Sequence, residues 1–223
     1  MKRLCECCRS AGPWLPACVG KCACQNTEVR MMYQSWKLVC AAVALIFGIS
    51  SPAVAIEWQM LPEKSTLTFE GTQTGSAFSG SFGKFDADIV FDPAAPGNAN
   101  ISVVVETASF SSGSSDRDSQ AVGPEWFATE AFPKAQFTAT AVEKRGDGWL
   151  AKGKLRIKEA ELPVELPFTL TVNGESAVAE GEMKLDRTQW SVGTGDWSDG
   201  SFVGTDVTLH FHVEATSRVA VGE

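Results

Sequence analysis

Beyond residue 40 the chain has no cysteine at all: its seven stand at 5, 7, 8, 18, 22, 24 and 40. Whatever folds downstream therefore has no disulfide, no thiolate nucleophile, no cysteine-ligated metal and no c-type haem attachment. Histidine is almost as scarce, with His210 and His212 the only two in 223 residues. No apolar run reaches the 18 or more residues that a membrane-spanning helix needs. Basic residues are outnumbered, Lys and Arg together being 19 against 27 Asp and Glu, for a net charge of −8.

The longest apolar run, 38–49 (LVCAAVALIFGI), follows Lys37 and leads through Ser50, Ser51 and Pro52 to Ala53-Val54-Ala55. A positive start, an apolar stretch of a dozen residues and an A-x-A site describe a secretory signal peptide over 31–55, cleaved after Ala55 into a periplasmic product. Residues 1–30 read as an upstream extension that is discarded, with translation expected to begin at Met31 or Met32. The C-x-C-C and C-x-x-x-C-x-C spacings found there do not match a zinc-binding C-x-x-C pair. Without residues 1–55, Lys plus Arg falls to 13 and Asp plus Glu to 25, so residues 56–223 carry −12. Such a charge excludes nucleic acid as a partner and disfavours docking on anionic headgroups.

Along 56–223 the dominant period is two. Trp149, Ala151, Gly153, Leu155 and Ile157 alternate with Lys152, Lys154 and Arg156. Leu162, Val164, Leu166, Phe168, Leu170 and Val172 alternate with Pro163, Glu165, Pro167, Thr169 and Thr171, while Val207, Leu209, Phe211 and Val213 alternate with Thr208, His210, His212 and Glu214. Further strands are expected over 65–74, 77–91, 100–110, 134–144 and 176–186, with Asn173-Gly174 and Gly146-Asp147-Gly148 as hairpin turns. About eight long strands and no helical stripe favour an up-and-down barrel or a sandwich. Pro163 and Pro167, which cannot donate to a ladder, predict a bulge or an open seam. Only 111–133 breaks the rhythm, and a short helical segment is expected there, crossing one end of the sheet.

Catalytic chemistry finds little footing. His210, His212 and Glu214 share one strand face, and two histidines at i and i+2 can chelate a metal; the opposite phase is the oily one, so the expectation is a solvated face and no metal. No G-x-S-x-G is present. Asp86 with Asp88, and Asp196 with Asp199, read as a wet face and as turn chemistry rather than as a glycosidase pair. Arg117, Lys134 and Arg187 are candidate contacts for a phosphate, although the first expectation for each is a surface ion pair.

Five segments in order carry a family resemblance: Trp58 with STLTF (65–69), GSFGKFDADIVFDP (80–93), RDSQAVGPEWFATEAFPKAQF (117–137), GKLRI followed by LPVELPF (153–168), and DRTQWSVGTGDW (186–197). Over 56–223 the chain resembles the YceI-like family of exported, lipocalin-like proteins. The resemblance implies an all-β, eight-stranded antiparallel up-and-down barrel around an apolar tunnel that holds an isoprenoid lipid, either a polyprenyl phosphate or pyrophosphate or a quinone, for transport. It implies no catalysis and no cofactor. The apolar face, which on its own pattern would simply fill a core, then becomes the tunnel lining: Phe69, Phe78, Phe82, Phe85, Ile89, Val103, Val105, Phe137, Leu155, Leu166, Phe168, Met183, Leu209 and Phe211. Trp126, Phe127, Phe132, Trp190 and Trp197 are expected at its mouth. Two alternatives stay open, an accessory module of a membrane cytochrome or quinone redox protein and an uncharacterised enzyme; the assembly expected is a monomer or a homodimer.

Overall fold

The computed structural model describes residues 56–218, so the upstream stretch 1–30 and the signal peptide 31–55 lie outside the described residues. Eleven strands follow one another: β1 (Glu57–Met60), β2 (Thr66–Gln73), β3 (Ser76–Phe82), β4 (Phe85–Val90), β5 (Asn100–Glu106), β6 (Phe110–Ser111), β7 (Lys134–Arg145), β8 (Gly148–Ile157), β9 (Ala160–Asn173), β10 (Ser176–Asp186) and β11 (Asp206–Arg218). One short α-helix, α1 (Ser115–Ala121), stands in the connection between β6 and β7.

The eleven strands make eight spans. The order β1-β4-β5-β7-β8-β9-β10-β11 closes on itself through β11 with β1, every pairing being antiparallel. β2, β3 and β6 continue β1, β4 and β5 beyond local breaks, β2 pairing with the first half of β11 and β1 with its last residues. The protein is therefore a closed eight-stranded antiparallel barrel with an up-and-down meander. The breaks lie side by side. The first is a 3-10 turn at Pro62–Lys64, stitched to β11 by Leu61 N–H to Glu214 O (2.8 Å) and by Glu214 N–H to the Ser65 hydroxyl (3.1 Å). The second, at residues 83–84, meets the third through Ser109, whose hydroxyl accepts from Lys84 N–H (3.1 Å) and donates to Glu106 O (2.6 Å). Side chains thus satisfy the backbone groups that the ladder leaves open.

β9 shows how the two prolines are tolerated. Its register with β8 runs unbroken through Lys154↔Pro163 and Leu150↔Pro167, whereas its ladder with β10 stops at Phe168↔Gly181. The first half of β9 therefore has a free side, where a missing N–H leaves no acceptor unpaired. Of the two outcomes expected from the prolines, the structure has the open seam. The one register shift lies between β7 and β8 at Ala139/Ala141, where the hydroxyl of the extra residue, Thr140, donates to Lys152 O (3.1 Å).

The two ends differ. Tight turns (146–147, 174–175) and the 92–99 loop close the lower end, where the Trp58 indole donates to Phe91 O (2.9 Å) and Phe91 meets the Trp149 ring edge-on at 5.1 Å. The long connections holding α1 and residues 187–205 cover the upper end, as expected for 111–133.

On the outer face, His212 Nδ1 lies 2.8 Å from Glu180, its register partner, and the histidine pKa is raised, chiefly by that hydrogen bond. A pKa raised by folding means that the contact stabilises the fold fully below the unfolded value, about 6.5, and is lost as pH climbs through the folded value. Glu180→Gln should therefore lower Tm more at about pH 5.5 than at about pH 9. Thermal melts across that range test it; an equal effect at both ends would show that the pair contributes nothing pH-dependent.

Candidate functional site: an apolar lumen with one polar end

Strand alternation sends one residue in two inward, and these enclose two adjoining chambers. The upper has a volume of about 300 Å³ and the lower about 180 Å³. Leu67, Val105, Leu155 and Leu209 line both and form the waist between them. Every side chain lining the lower chamber is apolar.

The residues expected in the lining are placed as follows. Phe69, Phe78 and Phe82 line the upper chamber; Phe85, Ile89, Val103, Phe137, Leu166, Phe168, Met183 and Phe211 line the lower; Val105, Leu155 and Leu209 line both. Trp126, Phe127, Trp190 and Trp197 line the upper chamber. Phe132 lines neither; its carbonyl accepts the hydroxyl of the buried Thr107 (2.8 Å). Leu67, Leu185 and Val207 also line the lumen and share the phase of Phe69, Met183 and Leu209, so alternation alone could have found them. Phe110, on a strand of two residues, carried no periodic signal.

Why such a barrel is hollow follows from its glycines. With eight strands the interior is about wide enough for side chains to fill. Four inward phenylalanines instead lie against the wall, each over a glycine on an adjoining strand: Phe78 over Gly71, Phe69 over Gly80, Phe137 over Gly153 and Phe211 over Gly181. A Cβ at Gly181 would sit 2.7 Å from the Phe211 ring, and one at Gly153 2.6 Å from the Phe137 ring, both too close to exist. The missing side chains are the space the rings occupy, and the bore stays open.

Polar groups gather only at the upper end, where Gln73, Asp116, Arg117, Gln120 and Arg187 join the lining. Arg117 lies 4.7 Å from the Phe78 ring centroid. It donates through Nε to the Ser112 hydroxyl (3.0 Å), through Nη1 to Gln73 Oε1 (3.2 Å) and through Nη2 to Ser112 O (3.2 Å). A guanidinium has five N–H groups, so two of them remain for a ligand. Asp118 fixes the same corner by accepting from the Ser112 N–H and hydroxyl, both at 2.7 Å, and these bonds hold its carboxyl below the usual range.

Arg187 is different. It is buried, and all five of its N–H groups are spent on backbone carbonyls: Nε on Gly204, Nη1 on Val192 and Gly193, Nη2 on Trp197 and Val203. It is the clasp of the 187–205 connection and offers a ligand no donor, which removes it as a direct phosphate contact. Gly193, at φ +79°, leaves the room the guanidinium takes. Burial lowers the Arg187 pKa, yet a guanidinium keeps its charge, so a positive field persists beside the chamber. Lys134 lines neither chamber.

A closed lipocalin-like barrel around an apolar lumen with one polar end has room to enclose a small apolar ligand. The chain belongs to the YceI-like family, whose domain model matches residues 58–215. Among its relatives, a UPF0312 protein of Yersinia pestis is 35% identical over 134 residues, covering 59% of this chain and 69% of that protein. The crystal structure of Burkholderia cenocepacia BcnA, 32% identical, superposes with a TM-score of 0.68 over 70% of this chain and 99% of that one. A polyisoprenoid binding domain from Saccharophagus degradans has the same fold at 14% identity, TM-score 0.56, over 74% of this chain and 99% of that one.

Two substitutions test this architecture. Gly181→Ala should force the new Cβ against both the Pro167 carbonyl of β9 and the Phe211 ring, driving the ring into the bore, costing about 1–3 kcal/mol of stability and sharply reducing uptake of a long-chain apolar probe. Unchanged uptake would show that the glycine does not keep the lumen open. Arg187→Lys, which loses the planar fork, should cost about 2–4 kcal/mol in denaturant unfolding and speed hydrogen exchange across 188–204; a neutral effect would contradict the clasp.

Proposed function

We propose that the protein is an exported, non-catalytic carrier of an isoprenoid lipid, with the hydrocarbon tail along the lumen and the headgroup at the Arg117 end. The observation that carries this reading is the asymmetry of the interior: a lower chamber lined wholly by apolar side chains, adjoining across four shared residues an upper one that has a polar rim. A long, narrow tail suits such a bore. Each buried CH₂ contributes about 0.8 kcal/mol, so a few five-carbon units offset the several kcal/mol lost on association. The shared fold of the polyisoprenoid binding domain is in keeping with this reading.

The headgroup follows from charge. Within the described residues neither Arg117 nor Arg187 is ion-paired with a carboxylate, whereas Lys64, Lys84, Lys152, Lys154, Arg156 and Arg218 all are. Two guanidinium groups with no carboxylate in ion-pair contact lie beside the apolar chamber, Asp118 and Asp186 offsetting them only through space and Asp116 sharing the rim; they favour an anion there, one by contact and the other by its field. A phosphate-ended polyprenyl chain meets this better than a quinone. The non-catalytic part of the reading is supported by the two histidines, which stand on the outer face, in register with Glu180 and Glu182, away from every lumen residue. Export is supported by the signal-peptide pattern over 31–55.

Displacement of a fluorescent polyprenyl probe tests the assignment. Phe168→Arg, which puts a charge into the lower chamber, should abolish uptake while the barrel remains folded by circular dichroism. Arg117→Gln should weaken a polyprenyl phosphate by about tenfold, the loss of one charge-assisted contact, and leave the corresponding polyprenol unchanged. Normal uptake by Phe168→Arg would overturn the lumen as the binding site, and equal losses for phosphate and alcohol would overturn the headgroup assignment.

A further inference from the structure

The two histidines and the carboxylates around them are unused by the lumen, and they form an ordered grid on its outside. His210 and His212 are two residues apart on β11 and so share a face, about 6.6 Å apart at the backbone. Directly across on β10, His210 is in register with Glu182 and His212 with Glu180; opposed positions on adjacent strands bring Cβ atoms within about 5.5 Å. Glu214 extends the β11 row, and Glu70 of β2 approaches His210 from the other side. The nitrogen-to-oxygen distances are 3.7 Å for His210 to Glu182, 3.9 Å for His210 to Glu70, 2.8 Å for His212 to Glu180 and 3.6 Å for His212 to Glu214. Lys64 pairs with Glu214 at 3.6 Å, and Lys184 stands beyond Glu182 on β10.

We propose that this grid is a surface site for a divalent transition-metal cation of the zinc, copper or nickel type, ligated by His210 and His212 with carboxylate oxygen from Glu180 or Glu182. Three observations carry it. Imidazole nitrogen with carboxylate oxygen is the donor set these cations take. Four carboxylates surround two imidazoles with only one lysine paired among them, and a divalent cation relieves the mutual repulsion that results. His210 Nε2 is covered and has no hydrogen-bond partner, its nearest carboxylate being Glu70 on the β2 side at 3.9 Å, so it is free to ligate once the ring turns. The side chains are engaged as separate His–Glu pairs and no three of the described residues converge on one point; binding therefore requires the half-buried imidazoles and the exposed carboxylates to close on the ion by rotation about χ1 and χ2. The pattern in β11 alone leaves such a site short of ligands, and the register with β10 supplies them.

The experiment uses the full chain with its seven cysteines alkylated, since unblocked thiols would themselves bind the ion. Calorimetric titration with Zn²⁺ at neutral pH should show one site with a dissociation constant below about 0.1 mM. His212→Gln and His210→Gln should each weaken it at least about tenfold, and Glu180→Gln with Glu182→Gln by a smaller factor. Cu²⁺ bound in place of Zn²⁺ should show electron-paramagnetic coupling to two imidazole nitrogens while circular dichroism stays that of the folded barrel, since an unfolded His-x-His segment would give the same coupling. Absence of binding at millimolar Zn²⁺, binding that survives loss of both histidines, or coupling to fewer than two nitrogens would each overturn the site. The result is independent of lipid uptake, which Zn²⁺ should leave unchanged.

Discussion

An eight-stranded barrel is at the edge between a packed core and a container, because its bore is about one layer of side chains wide. In this protein the balance is tipped by steric vacancy at the wall. Where Gly71, Gly80, Gly153 and Gly181 have no Cβ, phenylalanine rings from adjoining strands occupy the vacated space beside the wall. The same rings would fill the interior if those positions carried side chains. Inward glycine costs strand stability, and the aromatic cover returns part of that cost through buried area. Everything functional depends on this arrangement, since without it the apolar face would be an ordinary core.

The two ends are built by different physics. Below, Trp58, Phe91 and Trp149 form a floor of aromatic edges with one buried indole hydrogen bond. Above, long connections need internal order, and Arg187 supplies it by gathering five carbonyls of the 187–205 segment around a single guanidinium. A buried cation without a carboxylate is costly unless its hydrogen bonds are complete, and here they are. The charge that remains lies beside the upper chamber, on the inside of a chain whose residues 56–223 carry a large negative net charge. The polar end thus holds two guanidinium groups, with Asp116, Asp118 and Asp186 near them, within an acidic exterior.

Much of this was legible in the sequence because period two in an antiparallel barrel maps directly onto inside and outside. The alternation identified the lumen residues Leu166, Phe168 and Leu170 of β9 and the 207–213 face of β11, and the wet phase of His210 and His212 followed from it; Leu162 and Val164 line neither chamber and Val172 is exposed. The breaks that divide three spans were not visible as breaks: Pro62 and Gly83 are common turn residues, and only the long-range bonds of Ser65 and Ser109 show that they align. Arg187 was read as a phosphate contact because a cation near an apolar mouth looks free in one dimension; its partners are backbone carbonyls, which have no sequence signature. Phe132 was placed at the mouth because it is aromatic and lies in the right connection, but a connection has two sides. The ligands that complete the histidine grid come from β10, about thirty residues away in the chain, a juxtaposition that only strand register establishes.

The central claim is that the lumen exists to hold an isoprenoid chain. Native mass spectrometry of the protein purified from its own source tests it most directly. The account predicts a bound species whose mass belongs to a series spaced by one five-carbon isoprene unit, released by organic extraction and readmitted afterwards. A protein that purifies empty and then takes up neither polyprenyl phosphate, polyprenol nor quinone would contradict it.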